Sequence, residues 1–415
     1  MKIALIKKEE LSEWVSCRSI TQNLEQMYRK RYGEDVTTFC VPEVVDKFKY
    51  FQIFNEIKRR KIERVIFIDH KPTPLKLVQS MDKAFKDYSP QVVFHVFGDF
   101  TLFSPEWNSV EVILKKRPCH FITASDSQRN LLAHFINSEN LSVVPFPVSD
   151  NFSYSKELRN TTREMLGLKD EQVFIYSGRL SVQKNVIDLM RSFESSVKQM
   201  NVNAKLLICG DFDDLGVPYL GKVMPDGHYE SLFLNELKMT ESVIYLGSKR
   251  HEELRALYCA ADAFVSLSTH NDEDYGMSPA EAICCGLPCV LSSWGGFNSF
   301  HSYFSNRVSL VSINVDNDTV SPDLLQFRKI MLGTGVLNEL DREALSTEGR
   351  RVLGSKRTGE LVDGILPLIK SFDGFTPQFK KFAACYELNP KAPFRSGLGG
   401  YSKLYREIYK SYQEV

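Results

Sequence analysis

The sequence predicts an α/β protein built from two doubly wound parallel sheets. Short apolar runs of strand length alternate with amphipathic runs of helical length, and this alternation is typical of parallel sheets with helices on both faces. The alternation stops at Pro145-Phe146-Pro147 and restarts at Val173–Ser177. With 415 residues, the chain exceeds the usual size of one domain. We therefore predict two Rossmann-like domains, at residues 1–148 and 149–398.

The predicted elements form two series, one on each side of this break. The strands of the first series are Lys2–Ile6, Val36–Val41, Arg64–Asp69, Val92–Phe97, Phe121–Ala124 and Leu141–Val144. The helices between them are Leu11–Arg31, Val44–Lys61, one that Pro72 opens, and Gln128–Ile136. The strands of the second series are Val173–Ser177, Lys205–Cys209, Val243–Leu246, Ala263–Leu267, Cys289–Leu291 and Val308–Ile313. Gly216–His228 is predicted to be a surface loop, and residues 316–353 fit no pattern.

Charge, hydropathy and cysteine content narrow the class of protein. Lys and Arg together number 52, as do Asp and Glu, and this balance argues against a dedicated nucleic-acid binder. We expect no membrane-spanning helix, because no apolar run is long enough, and no signal peptide, because MKIALIKKEE lacks an apolar core. The nine cysteines have no scaffold-like spacing, which favours a reducing compartment and a cytoplasmic protein.

A candidate binding site lies in Ser268–Gly286, directly after a predicted strand. Ser278-Pro279-Ala280-Glu281 is typical of a helix start, with serine at the N-cap and proline at the first helical position. The residues Gly276-Met277-Ser278 are thus predicted at a helix N-terminus, whose N–H groups and partial positive charge suit a phosphate. A simpler interpretation makes Glu281 a capping partner of Ser278 and makes Glu273 a solvated loop acid.

Two cations follow the first strand of the second series. Arg179 and Lys184 come directly after Val173–Ser177, where a helix is predicted to begin near Ser181. A cation in a first helical turn opposes the helix dipole unless an anion lies nearby. The planar guanidinium of Arg179 and the ammonium group of Lys184 are both suited to binding diphosphate oxygens. The simpler interpretation is that both side chains are solvated surface charges.

These segments together resemble the donor site of retaining glycosyltransferase family 4, a family of GT-B-fold enzymes that use nucleotide sugars. Glu273 and Glu281 enclose seven residues around a glycine turn, and EA-x-x-CG-x-P and Gly295-Gly296 follow. Gly178-Arg179-Leu180 with Lys184-Asn185 is similar to the family's GRL…KN segment. Two further landmarks are YLG at 245–247 and LYCAADAFV at 257–265. The resemblance extends from Val173 to Gly296.

The resemblance implies two domains facing across a cleft, with a C-terminal helix at 399–415 that returns to the first domain. It implies that Gly178, Arg179 and Lys184 bind the donor diphosphate together with Gly276, Met277 and Ser278. It further implies that Glu281 binds the nucleotide ribose and that Glu273 is a catalytic residue near the donor sugar. No metal and no cofactor are expected.

A histidine of the first domain is a second catalytic candidate. Members of the family often place a histidine after the fourth strand, where it points at the donor sugar. His95 either fills this position or is a buried strand histidine, with Phe97 at the position instead. The family's glycine-rich loop after the first strand is missing, and Leu11–Ile20 stands in its place.

The resemblance thus implies a retaining hexosyl- or N-acetylhexosaminyl-transferase of polysaccharide, glycolipid or glycoside synthesis. Its donor would be a UDP- or GDP-sugar, and its acceptor a glycan, a lipid-linked sugar or a small molecule. Two alternatives stay open: a GT-B-fold nucleotide-sugar epimerase, and a non-catalytic nucleotide-sugar-binding relative. The basic and aromatic residues at 28–31 and 47–64 indicate either peripheral contact with the inner face of a membrane or a solvated helix face.

Overall fold

The computed structural model describes residues 1–10, 12, 15–69, 72–85, 87–98, 100–213, 227–270, 273–316, 319–388 and 407–413. These residues form two compact units. The first unit comprises Met1–Pro147 with residues 355–388 and 407–411. The second unit comprises Val148–Gly354 with residues 412–413.

The first unit contains a six-stranded sheet of order β2-β1-β3-β4-β5-β6, in which all neighbours are parallel. Its strands are β1 (Ile3–Lys8), β2 (Val36–Val41), β3 (Arg64–Phe67), β4 (Gln91–His95), β5 (Cys119–Thr123) and β6 (Leu141–Val143). Its first helices are α1 (Val15–Tyr32), α2 (Lys47–Arg60), α3 (Pro72–Ala84), α4 (Ser104–Leu114) and α5 (Asp126–Ala133). All six predicted strands are confirmed.

The second unit contains another parallel sheet, of order β12-β11-β10-β7-β8-β9. Its strands are β7 (Gln172–Ser177), β8 (Ala204–Cys209), β9 (Val243–Tyr245), β10 (Ala263–Ser266), β11 (Cys289–Ser292) and β12 (Val308–Val311). Its helices are α6 (Lys156–Met165), α7 (Val186–Met200), α8 (His228–Leu237), α9 (His251–Ala260), α10 (Met277–Cys284), α11 (Phe297–Tyr303), α12 (Leu324–Gly333) and α13 (Glu339–Leu353). An antiparallel hairpin is formed by β13 (Ile313–Asp316) and β14 (Thr319–Pro322).

Two helices beyond Gly354 pack on the first unit. They are α14 (Ser355–Ile365), which lies against α1, and α15 (Pro377–Leu388), which lies against α4. The sequence prediction had assigned this stretch to the second domain. The predicted helix at 399–415 lies largely outside the described residues. Within 407–413, residues 407–409 are α-helical and Lys410–Tyr412 form a 3-10 turn.

The strand order of the second unit fixes where a ligand can bind. The chain moves outward from β7 to β8 and β9, and then returns to place β10 on the other side of β7. At such a reversal the loops after the two central strands diverge and leave a crevice at their carboxyl ends. The loops in question begin at Gly178, after β7, and at Leu267, after β10.

The helices and cysteines add two facts. No helix of the described part of the chain is both long enough and apolar enough to span a bilayer. All nine cysteines are free thiols. Cys284, Cys285 and Cys289, which lie close in sequence, are buried, and burial raises the pKa of each thiol. They therefore serve as packing residues.

Candidate active site

Two glycines lie side by side at the carboxyl ends of β7 and β8. The Gly178 amide donates to the carbonyl of Cys209 at 3.0 Å, and the Leu180 amide donates to the carbonyl of Asp211 at 2.8 Å. A Cβ atom on Gly210 would overlap the Gly178 carbonyl oxygen. Only glycine at 210 therefore lets the segment that carries Arg179 lie against the end of β8. The sequence analysis did not identify Gly210.

Arg179 is held by an acid and a histidine. Its guanidinium forms an ion pair with Asp213, and its Nη2 donates to Nε2 of His270 at 3.0 Å. His270 is buried, and both burial and the cations Lys184 and Arg179 hold its pKa well below the ordinary value. The imidazole is therefore neutral and accepts the arginine's hydrogen bond. Neither Asp213 nor His270 was singled out from the sequence.

Lys184 lies in a short turn that precedes α7. The predicted helix start near Ser181 is wrong, because Val182–Lys184 forms a 3-10 turn and α7 begins only at Val186. Asn185 separates the two elements with a left-handed φ of 52°. Its side-chain amide donates to the Leu267 carbonyl at 2.7 Å. This bond fastens the loop after β7 to the loop after β10.

Lys184 and Glu273 meet across those two loops. The lysine Nζ lies 2.5 Å from Oε2 of Glu273. Glu273 is only 8% exposed, so its interpretation as a solvated loop acid is wrong. The Glu273 carbonyl accepts a hydrogen bond from the Gly296 amide at 2.6 Å. The side chains of Lys184 and Glu273 are 13% and 10% exposed, so the ion pair is largely shielded from solvent.

The helix α10 begins two residues earlier than predicted. The helix begins at Met277, with Gly276 at the N-cap and φ of 103°, and no side chain caps it. Ser278 thus lies inside the first turn, and the predicted capping box with Glu281 does not form. The amide of Ala280 donates to the Gly276 carbonyl at 3.3 Å, and the residues before Ala280 have no carbonyl four positions earlier within the helix. Proline is therefore tolerated at position 279 as well as at the first helical position, and it does not fix the cap.

Glu281 instead faces the buried end of β7. Its carboxyl accepts a hydrogen bond from the Tyr258 hydroxyl, which lies 2.5 Å from the Ser177 hydroxyl. Burial raises the pKa of Glu281 to about 8. The group is consequently protonated at neutral pH in this structure, because a low-dielectric environment disfavours the charged form.

His95 lies in the first unit, at the carboxyl end of β4. It is buried, and its Nε2 lies 2.8 Å from the Tyr28 hydroxyl. Burial lowers the pKa of His95 to about 3, so the ring is neutral. The structure thus places His95 within the strand, and its catalytic role stays a prediction. His70 and Asp99, the neighbouring polar residues, lie outside the described residues.

The second unit therefore brings the predicted donor-site residues together. Arg179 and Lys184 lie on the loop after β7, Glu273 lies on the loop after β10, and the uncapped start of α10 follows it. This is the crevice that the strand order creates. Within the described residues, no group of three or more His, Cys, Asp or Glu side chains is arranged to hold a metal ion.

The two sheets define the GT-B fold, and comparison with solved structures agrees. The Anabaena HepE structure in complex with UDP-glucose superposes with a TM-score of 0.64, covering 88% of this chain and 99% of that one at 12% sequence identity. At such low identity, the likeness concerns the fold alone.

Sequence comparison narrows the class further. Residues 159–316 match the family described as Glycosyl transferases group 1. An uncharacterized glycosyltransferase of Methanocaldococcus jannaschii is 26% identical over 218 residues, and a lipopolysaccharide 1,2-N-acetylglucosaminetransferase of Salmonella typhimurium is 24% identical over 212. In both pairs the match covers 51% of this chain and 51% of the relative. The chain thus spans about half the length of each relative. The relatives in these matches are glycosyltransferases, and the residues matched by the family lie within the second unit.

Proposed function

We propose that the protein transfers a sugar from a nucleotide-diphosphate sugar to an acceptor, as a retaining enzyme of glycosyltransferase family 4. One observation carries this proposal: Lys184, on the loop after β7 that also carries Arg179, pairs with Glu273 on the loop after β10, and that loop leads into the uncapped N-terminus of α10. Cations and helix-terminal N–H groups form an anion site. The relatives reported above are transferases, which favours transfer over the epimerase and the non-catalytic alternatives.

The chemistry follows from where charge develops. When the bond between the anomeric carbon and the diphosphate breaks, the electron pair leaves with the nucleoside diphosphate. Fixed cations then stabilise the transition state more than the bound donor. In the structure, Asp213 and Glu273 neutralise Arg179 and Lys184. The diphosphate would replace these carboxylates as the partner of the two cations, so no metal is required for charge neutralisation.

This exchange gives Glu273 its proposed role. Once Lys184 turns toward the diphosphate, the Glu273 carboxylate is released at the edge of the site, where we place the donor sugar. Glu281, which is buried beside Tyr258, is proposed to bind the ribose hydroxyls. UDP-sugars are the first donors to test, since HepE is described in complex with UDP-glucose. The Salmonella relative supports an N-acetylhexosaminyl or hexosyl group.

The experiment is calorimetric titration with UDP, GDP, ADP, CDP and TDP, each with and without Mg²⁺. We expect one of them to bind without metal at micromolar Kd, or about 8 kcal/mol. Lys184→Ala should weaken that binding by at least about tenfold, as loss of a charge-assisted bond to the phosphate predicts. Lys198→Ala, on the exposed face of α7, is the matched control and should bind normally. Failure of all five nucleotides would contradict the donor site.

We also propose that α2 binds an anionic membrane surface. Phe48 and Phe51 on α2 are 69% and 61% exposed, and Val44, which precedes the helix, is 82% exposed. Such exposure is unusual for several large apolar side chains so close together. Residues 44–61 contain six Lys or Arg and only two Asp or Glu. Exposed aromatic side chains beside a surplus of cations match a lipid surface with negative headgroups. This surface would bring the enzyme to a lipid-linked acceptor.

A further inference from the structure

We infer that Tyr412 is a positioning residue for the loop that carries Glu273. This residue belongs to the second unit and is separated from Glu273 by more than a hundred positions in sequence. It lies outside the segment that resembles the donor-site signature. The inferred effect on catalysis rests on the proposed function. The contacts of Tyr412 are observed independently of that function.

Tyr412 contacts both segments that form this side of the site. Its hydroxyl donates to Oδ1 of Asp274, the residue next to Glu273. Its carbonyl oxygen accepts from the Gly295 amide at 2.8 Å and from Nδ2 of Asn298 at 3.3 Å. The tyrosine is buried. Tyr412 thus holds the loop that carries Glu273 and Asp274 through its side chain, and it holds Gly295 through its main chain.

Residues 294–296 also form hydrogen bonds with the loop that carries Glu273. Trp294 Nε1 donates to the His270 carbonyl at 2.8 Å, and the Gly296 amide donates to the Glu273 carbonyl at 2.6 Å. A Cβ atom on Gly295 would overlap the Glu273 carbonyl and would lie 2.9 Å from the Tyr412 ring. The ring of Tyr412 packs edge-on against Trp294 at 5.7 Å. Tyr412, residues 294–296 and the loop that carries Glu273 therefore pack closely against one another.

This packing has a specific consequence for the reaction. The proposed diphosphate contacts lie on residues 178–184 and on the start of α10, whereas Tyr412 acts on Asp274. Loss of the Tyr412 hydroxyl should therefore move Glu273 without changing the anion site. Small displacements of a reacting group lower turnover strongly, so the effect should fall on kcat and not on nucleotide affinity.

The test compares Tyr412→Phe, Asp274→Asn and the double variant in the full chain. Tyr412→Phe keeps the ring and the main chain and removes only the hydroxyl. We expect kcat to fall by about tenfold, in line with one lost charge-assisted hydrogen bond, with the nucleotide Kd unchanged. The double variant should lose no more than Tyr412→Phe alone, because Tyr412→Phe already removes the hydrogen bond that Asp274→Asn weakens by removing its charge. Tyr409→Phe, at another buried tyrosine, is the matched control and should keep kcat.

Amide hydrogen exchange separates this inference from the proposed function. Faster exchange at residues 273–276 and 295–296 in Tyr412→Phe, with the rest of the second unit unchanged, is the expected result. Unchanged exchange would overturn the inference even if the wild-type protein transfers sugar. A parallel fall of kcat, nucleotide affinity and melting temperature would also overturn it, since it would show general destabilisation. A wild-type protein that binds no nucleotide would contradict the proposed function, and the exchange result would still decide the role of Tyr412.

Discussion

Glu281 illustrates how burial sets the behaviour of a single residue in this site. Its carboxyl lies beside Tyr258, whose hydroxyl contacts Ser177 at the end of β7, and its pKa is raised to about 8 from an ordinary value of 4.5. In the unfolded chain the group ionises near that ordinary value. Between these two pH values, the folded state therefore holds a proton that the unfolded state has released. Stability must then fall as pH rises through this window and become level above it.

Glu281→Gln tests this dependence. Glutamine keeps the size and the hydrogen-bonding atoms but cannot ionise, so the variant should lack the loss of stability between about pH 5 and pH 8. The wild-type protein should lose, relative to the variant, on the order of a few kcal/mol over this range. Thermal unfolding of both proteins at pH 5, 6, 7 and 8 measures the difference, in which all other titrating groups cancel. Parallel curves would show that Glu281 is ionised in the folded protein.

At the same scale, the sequence predicted the charged residues of the site but not what holds them. Arg179 and Lys184 stood out as cations at a predicted helix start, and Glu273 stood out through its seven-residue spacing from Glu281, which resembles the family's signature. Asp213 and His270 did not stand out, because each follows a different strand and meets Arg179 only through the parallel pairing of β8, β7 and β10. A single sequence contains no signal for such long-range partners.

At the scale of elements, strands were predicted better than helix starts. A buried parallel strand is a short apolar run in the sequence, and this pattern can be recognised without knowing which elements pack against the strand. A helix start depends on the backbone before it: at α10, Gly276 adopts φ of 103° and takes the cap position from Ser278. The helix α4, which the sequence analysis did not predict, also begins before its proline, since Ser104 lies inside it before Pro105. The Ser-Pro pair therefore located the start of α10 to within two residues but did not identify its cap.

The exposed face of α2 makes a prediction at this scale. The protein should sediment with phosphatidylglycerol vesicles and not with phosphatidylcholine vesicles, and added salt should weaken binding, because the attraction is partly electrostatic. Phe48→Ser with Phe51→Ser should abolish sedimentation. Val112→Ser removes an equally exposed apolar residue, at 66%, from α4 and should have no effect.

Two results would contradict the membrane proposal. One is a wild-type protein that stays in solution with anionic vesicles. The other is a dimer in light scattering that the Phe48 and Phe51 substitutions convert to a monomer, which would assign this face of α2 to a second copy of the chain.

At the scale of the whole molecule, the two-sheet organisation was predictable, but the assignment of the later helices was not. The amphipathic patterns of α14 and α15 show that each has an apolar face, but a pattern does not show which surface that face covers. In the structure, Arg31 on α1 forms an ion pair with Asp363 on α14, and Phe379 on α15 packs on Phe135 at 5.5 Å. These partners lie more than two hundred residues away in sequence.

This organisation makes the second unit nearly continuous in sequence. Val148–Gly354 contains its entire parallel sheet and every residue proposed to bind the diphosphate and the ribose. The core of this sheet is formed from the same range, by side chains such as Phe174, Phe193 and Val265. A unit with its own core is expected to fold alone.

A fragment of residues 148–354 should therefore unfold cooperatively and bind the same nucleoside diphosphate as the full chain. We expect its Kd to lie within about tenfold of the full-length value, a change of about 1.4 kcal/mol or less. The same fragment with Lys184→Ala is the control and should bind more weakly by the factor measured in the full chain. Because the fragment lacks Tyr412, it should also show the fast amide exchange at residues 273–276 that is expected of Tyr412→Phe. A folded fragment that binds no nucleotide would mean that the donor site requires residues from outside 148–354.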